Sequence, residues 1–539
     1  MNDGPPTAAT RHVVDGGYAL GLLAAAIVSG YVILAPSGAV VARPSPQGTV
    51  ASVTAVRGTG NGPHPALAPA ADGAALPDLG RIPADGTPSA SAPDPARAAR
   101  ASLGTRLPGD APPLHRPEPF RRPETAPPAP PRQPWPEKVA GRVTDADGTP
   151  IAAASVALGG KEHRTDDSGA FAIDTGGVDT PLVVKLPGHQ RVIVEPTRER
   201  VDVVLKPQVV KAAYLTYFGV ADRGIRGRVM DLLERTELNA VVIDVKGDRG
   251  WIPYRTEVEA ALKAGAQGPV IIRDFEGMMA DLRARGIYTI ARIVTFKDNV
   301  LASARPDLAI IDTRTGKPWI DNEKLAWVDP FREEVWTYNL EIAKEAVRKG
   351  FDEIQFDYVR FPTDGKLGAA RYAKPVSKET RLPTITAFLA RARRELGALG
   401  VYVAADVFGY TAFNENDTDI GQRIEEFAPH LDYICPMVYP SGYHVGIPGY
   451  RNPVANPYAV VHESVRLIRK RAGDAQMRVR PWLQDFRDYA FDKRIFGVHE
   501  IRAQIQGSDD AGGVGWMLWN PRNSYTAEAL RPKSPVAAR

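Results

Sequence analysis

The segment Gly350–Pro362 reads GFDEIQFDYVRFP, which is typical of a buried strand that follows directly on a helix. The stretch before it, Phe331–Lys349, places apolar residues at helical spacing and ends in basic residues followed by glycine, as helices commonly do. A helix that leads into a buried strand is the repeating unit of a parallel α/β sheet. The segment therefore predicts a fold in which such units recur.

Working outward from this segment, strands alternate with amphipathic helical stretches from Pro207 almost to the C terminus. Besides Phe331–Lys349, helices are predicted at Ile225–Thr236, Asp274–Arg285 and Ile385–Leu399. The eight predicted strands are Ala212–Gly219, Ala240–Gly247, Tyr288–Val294, Glu353–Pro362, Val401–Gly409, Tyr433–Pro440, Val479–Phe486 and Gly513–Asn520. Eight such units predict an α/β fold of the (β/α)8 TIM-barrel type.

The competing architecture is a doubly wound open sheet. It would need a glycine-rich phosphate loop after the first strand, and Gly219-Val220-Ala221-Asp222 is not such a loop. The barrel is therefore the preferred interpretation, and its chemistry is expected at the C-terminal ends of the strands.

Carboxylates are predicted to point into the barrel at several strand ends, because successive side chains alternate across a strand. In strand five, Val403 and Val407 take the helix-facing parity, which leaves Asp406 inside. The same argument places Asp357 inside on strand four and Tyr358 outside. Asp485 has no clear parity, since it lies at the very end of strand seven.

Strand two adds Asp244 and Lys246, which share the predicted inward face. Converging carboxylates repel one another and raise each other's pKa, so they are costly to keep without a use. The plainer alternative is that some of them form structural salt bridges with Lys246, Arg292 and Arg360. That alternative is strongest for Asp244.

Two carboxyl groups that flank a bond are what glycoside hydrolysis requires. The predicted catalytic residues are Asp357 as nucleophile or base, Asp406 as acid, and Asp485 as a further candidate for the acid. Aromatic faces at strand ends could stack on sugar rings, although core packing explains them equally well. The predicted substrate-binding residues are Tyr217, Asp244, Lys246, Arg292, Arg360, Phe408, Tyr439, Trp482, Gln484, Trp519 and Asn520.

Six blocks carry a family resemblance: AAYLTYFG, NAVVIDVKGDRG, GFDEIQFDYVRFP, DYICPMVYPSGY, RPWLQDF and GWMLWNPRNSY. In this order, over Lys211 to about Tyr525, they resemble the bacterial putative glycoside hydrolase TIM-barrel family, a domain of unknown function. The resemblance implies a barrel of the glycosidase superfamily. Strand four is also distantly similar to α-amylase-type barrels, which implies that Asp357 is the nucleophile. An α-amylase would have Arg in place of Gln355 and a Glu acid in place of Asp406.

The N-terminal part of the chain predicts a membrane tether. Residues 1–15 form a cytoplasmic tail, and 16–41 contain the charge-free run Tyr18–Leu34, which suits a transmembrane signal anchor. Residues 42–136 are rich in Pro and Ala and predict a disordered linker, as does the tail 529–539. The folded domains are therefore expected at the cell membrane, outside the cytoplasm, or secreted if the segment is cleaved at Val40-Val41-Ala42.

Between linker and barrel, residues 137–207 predict a small antiparallel β-sandwich of six or seven short strands. Its string GRVTDADGTPIAAASVAL, followed by TDDSGAFAI, resembles the carboxypeptidase regulatory-like domain. That resemblance implies a sandwich with no chemistry of its own. The barrel domain is predicted over residues 208–528.

Charge and composition narrow the function classes. A net charge of +4 without a run of Lys and Arg gives no indication of nucleic-acid binding. No cofactor or metal is predicted, because the histidines of the barrel region lie outside its strands. The sequence therefore predicts a membrane-tethered hydrolase with a polysaccharide as substrate. A non-catalytic carbohydrate-binding or scaffold barrel is the alternative.

Overall fold

The structure, a computed structural model, describes residues 134–196, 200–473 and 478–533. The predicted cytoplasmic tail, the membrane segment and nearly all of the linker lie outside these residues. Within them, no helix is both long enough and apolar enough to cross a lipid bilayer. The linker and tail boundaries shift slightly, since Trp135 and Leu530 are both buried. Ordered packing thus begins before residue 137 and extends past residue 529.

Within the described residues the strands form three small sheets, of two to four strands each, and one large sheet. Their bounds are β1 (Lys138–Thr144), β2 (Ser155–Leu158), β3 (Lys161–Arg164), β4 (Ala170–Asp174), β5 (Leu182–Lys185), β6 (Val192–Val194), β7 (Val203–Val204), β8 (Val210–Leu215), β9 (Ala240–Lys246), β10 (Tyr288–Val294), β11 (Ile311–Asp312), β12 (Glu353–Asp357), β13 (Ala370–Arg371), β14 (Tyr402–Phe408), β15 (Tyr433–Met437), β16 (Arg478–Val479), β17 (Trp482–Gln484) and β18 (Gly515–Trp519).

Helices follow most strands of the large sheet. Their bounds are α1 (Tyr217–Ala221), α2 (Arg223–Arg235), α3 (Glu259–Ala264), α4 (Phe275–Ala284), α5 (Asn299–Ala304), α6 (Glu333–Arg348), α7 (Lys378–Gly397), α8 (Ile424–Phe427), α9 (Pro457–Ala472) and α10 (Val498–Asp510). Local sequence sets several starts. Asp222 and Asp274 accept hydrogen bonds from backbone N–H groups in the first turns of α2 and α4.

The large sheet closes into a parallel barrel of eight strands, which confirms the predicted barrel and is consistent with the TIM-barrel architecture. The order β14-β12-β10-β9-β8-β18-β17-β15 is closed by pairing of β14 with β15. At the join between the last and first strands, Gly515 has φ +81, and a Cβ there would lie 1.9 Å from the Val210 carbonyl oxygen. Glycine is therefore required for these two strands to approach.

Three predicted strands are shorter or interrupted. The first stops at Leu215, because Thr216 caps α1 with its side chain. The fourth stops at Asp357, because Tyr358 adopts a left-handed backbone with φ 48. The seventh is split into β16 and β17 at Arg480-Pro481, since proline has no N–H to donate to the ladder.

Side-chain parity divides the barrel into two cores. Outward-facing residues such as Val241, Phe356 and Val403 pack with the helices in one cluster. Inward-facing residues such as Ala404 and Met517 form a separate cluster inside the barrel. This division places the strand-end polar groups at one mouth, above an interior filled with side chains.

The region before the barrel forms two small sheets, ordered β4-β1-β7 and β3-β2-β5-β6. Both contribute to one hydrophobic core, which includes Val143, Phe171 and Val184. The pairing is not wholly antiparallel as predicted, because β1 and β7 run parallel. The module packs against the N-terminal ends of the barrel strands, where the Gly188 N–H donates to the Tyr433 hydroxyl at 2.9 Å. It therefore covers the end of the barrel opposite the predicted site.

Candidate active site

Arg292, on β10, is the centre of the polar network at the barrel mouth. Its Nη1 donates to Asp244 Oδ1 at 2.7 Å, while Nε and Nη2 donate to Asp357 Oδ2 at 2.9 and 2.6 Å. Nη2 also lies 3.3 Å from Asp248 Oδ1. One buried guanidinium thus contacts three carboxylates, which leaves the cluster with an excess of negative charge.

Asp357 ends β12 with both carboxylate oxygens occupied. Oδ2 receives the two Arg292 bonds, and Oδ1 accepts the Tyr358 backbone N–H at 2.6 Å. That second bond coincides with the left-handed turn at Tyr358, a conformation that is costly for a bulky residue. The Tyr358 ring packs against the helix-facing core, as predicted, and it also contributes to the pocket wall at the mouth.

Asp406, on β14, is held quite differently from Asp357. Its Oδ1 accepts the Trp482 indole N–H at 2.7 Å, and within the described residues its buried Oδ2 has no hydrogen-bond partner. Burial, together with the nearby charge of Asp357, raises the pKa of Asp406 well above its usual range. This shift favours the protonated form of Asp406, and its second oxygen is free to carry the proton.

Asp244 is a positioning carboxylate on strand β9. Its Oδ2 accepts the Tyr214 hydroxyl at 2.7 Å and the Tyr217 backbone N–H at 3.1 Å. Burial raises the pKa of Asp244 to about 6, against the opposing charge of Arg292. Because every partner is a fixed protein group, the carboxylate serves mainly to orient Arg292.

An open pocket lies above this network, and we call it the central pocket. Its charged lining residues are Asp248, Arg292, Asp357 and Arg360. The predicted residues Phe408, Tyr439, Trp482 and Trp519 supply aromatic lining. Asp406 is not part of the lining, but it is bonded to Trp482, which is.

Several lining residues were missed by the sequence argument. Asp248 follows β9 in the loop Gly247-Asp248-Arg249-Gly250, two residues beyond the last strand position that parity could sort. Tyr410, Tyr443 and Tyr489 also reach the pocket from loops. Side chains in loops follow no regular alternation. The one piece of sequence evidence that Asp248 belongs to the site was therefore its position close to the end of a strand.

Lys246 does not lie on the inward face with Asp244, contrary to prediction. The register between β9 and β10 shifts at this point, so that Asp244 pairs with Arg292 but Lys246 pairs with Ile293. Such a bulge turns a side chain to the other face. The fully buried Lys246 ammonium instead pairs with Asp298 at 2.6 Å and lies over the Tyr338 ring.

The remaining predicted residues serve the walls of the barrel. Asp485 accepts the Thr526 backbone N–H and hydroxyl, both at 2.9 Å, so its carboxylate is directed away from the central pocket. Gln484 is fully buried against Ser441. Asn520 donates to backbone carbonyls, among them Ser524 at 2.6 Å. The Tyr217 hydroxyl lies 3.3 Å from the Pro269 carbonyl oxygen, outside the pocket lining.

No group of three or more His, Cys, Asp or Glu side chains in the described part of the chain is arranged to hold a metal ion. What the mouth offers is one ion-paired carboxylate, Asp357, and one carboxyl group with a raised pKa and a free oxygen, Asp406, near an aromatic pocket. A proton donor next to a charged carboxylate is the equipment of general acid catalysis on an acetal.

Comparison with known proteins agrees with this chemistry. Residues 212–525 match the family described as "Putative glycosyl hydrolase domain". No curated protein matches the chain at a significant level.

Three solved structures illustrate the similarity at the level of coordinates. A hypothetical protein from Ruminiclostridium thermocellum is 39% identical, covers 36% of this chain and 97% of its own, with a TM-score of 0.32. The glycoside hydrolase domain of PgaB (BpsB) from Bordetella bronchiseptica is 13% identical, covering 61% and 100%, at 0.41. An α-galactosidase from Thermus thermophilus is 15% identical, covering 64% and 71%, at 0.35.

Proposed function

The chain belongs to the "Putative glycosyl hydrolase domain" family, and from that premise we propose that it hydrolyses glycosidic bonds of a polysaccharide with Asp357 and Asp406 as its carboxyl pair. Asp357 is the nucleophile or base, and Asp406 is the acid. The observation that supports this assignment is the difference between the two groups, since Asp357 is ion-paired with Arg292 whereas a buried oxygen of Asp406 has no hydrogen-bond partner within the described residues.

In this reaction Asp406 donates its proton to the glycosidic oxygen as the bond from the anomeric carbon to that oxygen breaks. The bonding electron pair leaves with the oxygen, which departs as a hydroxyl. Asp357 either attacks the anomeric carbon or takes a proton from the water that does so. If Asp357 attacks, the Asp406 carboxylate then takes a proton from a water molecule whose oxygen displaces Asp357 from the anomeric carbon, and both carboxyl groups return to their starting states. If Asp357 activates the water, Asp357 ends protonated and Asp406 ends ionised, and proton exchange with solvent restores both groups.

Asp248 is the competing candidate for the acid. It lines the central pocket directly, with 16% of its side chain exposed, whereas Asp406 is reached past Trp482. Against Asp248 stands its contact with Arg292 at 3.3 Å, whereas Oδ2 of Asp406 has no hydrogen-bond partner within the described residues. Asp406 is therefore preferred.

The test uses the full-length chain and its variants Asp357→Asn, Asp406→Asn and Asp248→Asn. Each protein is incubated with a panel of bacterial and plant polysaccharides while new reducing ends are counted, and its unfolding is measured in parallel. We expect cleavage by the wild type, a loss of orders of magnitude for the first two variants, and a smaller loss for Asp248→Asn.

Other outcomes are equally informative. Loss in Asp357→Asn and Asp248→Asn alone would transfer the acid role to Asp248. Glycan binding without any cleavage, unchanged in all three variants, would rule out the hydrolase in favour of a non-catalytic carbohydrate-binding or scaffold barrel.

The two small sheets we propose to be the carboxypeptidase regulatory-like module, acting as a support for the barrel. What supports this is its position at the barrel end opposite the site.

We also propose that the charge-free run Tyr18–Leu34 tethers the chain to a membrane with the folded part outside the cytoplasm. Deleting that run should move the protein from the membrane fraction to the soluble fraction. If the deletion leaves it in the membrane fraction, the tether lies elsewhere.

A further inference from the structure

Arg360 is a buried cation in the wall of the central pocket, and its surroundings differ from those of Arg292. It is 7% exposed, and in the described part of the chain it forms no ion pair. Nη1 donates to the neighbouring Phe361 carbonyl oxygen at 2.9 Å. Arg292, by contrast, forms ion pairs with Asp244, Asp248 and Asp357. Arg360 therefore has a charge and donors to offer, and Arg292 does not.

Aromatic rings hold the Arg360 guanidinium in place. The centre of the guanidinium lies 4.7 Å from the Phe408 ring centroid, 4.9 Å from Tyr358 and 5.1 Å from Trp327. Cation–π contacts with these rings position the guanidinium but supply no anionic oxygen for its N–H groups. That geometry suits bidentate binding of a carboxylate or phosphate.

A buried charge without a counter-ion is costly, so a site that keeps one commonly completes the pair with its ligand. Burial lowers the pKa of Arg360, and the more distant charges of Asp357, Asp364 and Asp321 do not fully compensate. An incoming anion would supply the missing compensation. Arg360 itself lies on the segment that follows Asp357, which places it beside the proposed nucleophile.

We infer that Arg360 is an anion subsite and that the substrate is an acidic glycan, with a carboxylate or phosphate on a sugar bound in the central pocket. This inference rests on the proposed function for its choice of a glycan. It identifies the class of polysaccharide, which the carboxyl pair by itself does not.

The test compares matched polymers by affinity electrophoresis of the full-length chain. Polygalacturonate is paired with its carboxyl-reduced form, and a phosphomannan with its dephosphorylated form. The proteins are wild type, Arg360→Ala, Arg360→Lys and the control Arg305→Ala, which removes an exposed arginine paired with Asp307 and so corrects for overall charge.

We expect at least tenfold tighter binding of one charged polymer than of its neutral partner. That preference should vanish in Arg360→Ala, weaken in Arg360→Lys and persist in Arg305→Ala. Preference within the first pair identifies a carboxylate, and preference within the second identifies a phosphate. Equal or absent binding of the charged members, or a preference that survives Arg360→Ala, would overturn the inference.

Reducing ends counted on the same polymers separate this inference from the proposed function. Cleavage confined to neutral polymers would leave a hydrolase without an anion subsite. A charge preference that depends on Arg360, without cleavage of any polymer, would leave the subsite and remove the hydrolase.

Discussion

The two ends of the barrel both bury charged groups, but they balance them differently. At the base, Lys185 of the small-sheet module pairs with Asp432 at 2.9 Å, and Arg393 pairs with Glu162 at 2.7 Å. We call these four residues the base cluster; it has two cations for two anions. Burial would raise the pKa of Asp432, but the charges of Lys185 and Arg393 outweigh it, so the pKa is lowered.

At the mouth, a single arginine faces Asp244, Asp248 and Asp357, while Asp406 has an unpartnered oxygen. The pKa values of Asp244 and Asp406 are raised, because burial is not offset by enough positive charge. Complete pairing stabilises a fold, whereas incomplete pairing keeps a proton and a charge available for a substrate. The difference marks the base as structural and the mouth as reactive.

The largest effect that separates the two ends should come from Asp357→Asn. The substitution keeps the shape of the side chain but removes the charge that serves as nucleophile or base. Turnover should fall by about 10²- to 10⁴-fold, the range expected when a catalytic acid or base is lost. The measurement is the initial rate of reducing-end release from a cleaved polysaccharide.

Asp432→Asn is the matched change at the base, since Asp432 is equally buried and equally ion-paired. Its turnover, corrected for the folded fraction, should match the wild type. An equal loss of turnover in both variants would mean that the base takes part in the reaction and would break the comparison.

The next effect should appear in stability and at the base. Lys185→Met leaves Asp432 buried without its nearest cation, and breaking a buried pair costs about 3 kcal/mol or more. Chemical denaturation should show this loss as a lower midpoint. Lys263→Met is the control, because its pair with Glu259 is exposed and should contribute under about 0.5 kcal/mol. Equal losses in the two variants would contradict a structural role for the base cluster.

Much of this arrangement could be predicted from the sequence, because the evidence for it is local. Alternation of apolar residues within β12 and β14 was enough to place Asp357 and Asp406 inside the barrel, since parity depends on one strand at a time. The helix starts at Asp222 and Asp274 likewise depend on a few neighbouring residues.

What failed depends on relations between segments. Lys246 was misplaced because the bulge is a property of two paired strands, and one strand alone does not reveal it. The left-handed turn at Tyr358 was not predicted, because the alternation of apolar residues does not reveal where a strand ends. Asp248 was overlooked because it lies in a loop, and the pairing of Lys185 with Asp432 joins residues far apart in the chain.

A smaller effect concerns pH, and here the two ends should respond with opposite sign. Asp485 lies at the mouth end of β17, and burial raises its pKa from 3.8 to about 6. Its contribution to stability is complete below pH 3.8 and is lost as pH rises through about 6. Asp432, with a lowered pKa, contributes fully above 3.8 and loses its contribution as pH falls through its folded value.

Denaturation of Asp485→Asn and of wild type should therefore be compared between about pH 4 and pH 7. As the pH rises across this range, the free energy of unfolding of the variant should increase relative to that of the wild type by roughly 2 kcal/mol, because asparagine cannot ionise. For Asp432→Asn the difference from wild type should stay constant over the same interval. A constant difference for Asp485→Asn as well would show that Asp485 is already ionised throughout.

The smallest change removes one hydroxyl at each end. The Tyr402 hydroxyl at the base lies 2.9 Å from the carbonyl oxygens of Leu186 and His189, and the Tyr214 hydroxyl at the mouth donates to Asp244 at 2.7 Å. Each Tyr→Phe variant should lose about 1 kcal/mol of stability, the usual net value of a buried hydrogen bond. Only Tyr214→Phe should also lower kcat, because Asp244 orients Arg292 and, through it, Asp357. A reduced kcat in Tyr402→Phe would mean that the small-sheet module is coupled to the mouth. An unchanged kcat in Tyr214→Phe would mean that the mouth network tolerates the loss of a hydrogen-bond donor, as the base does.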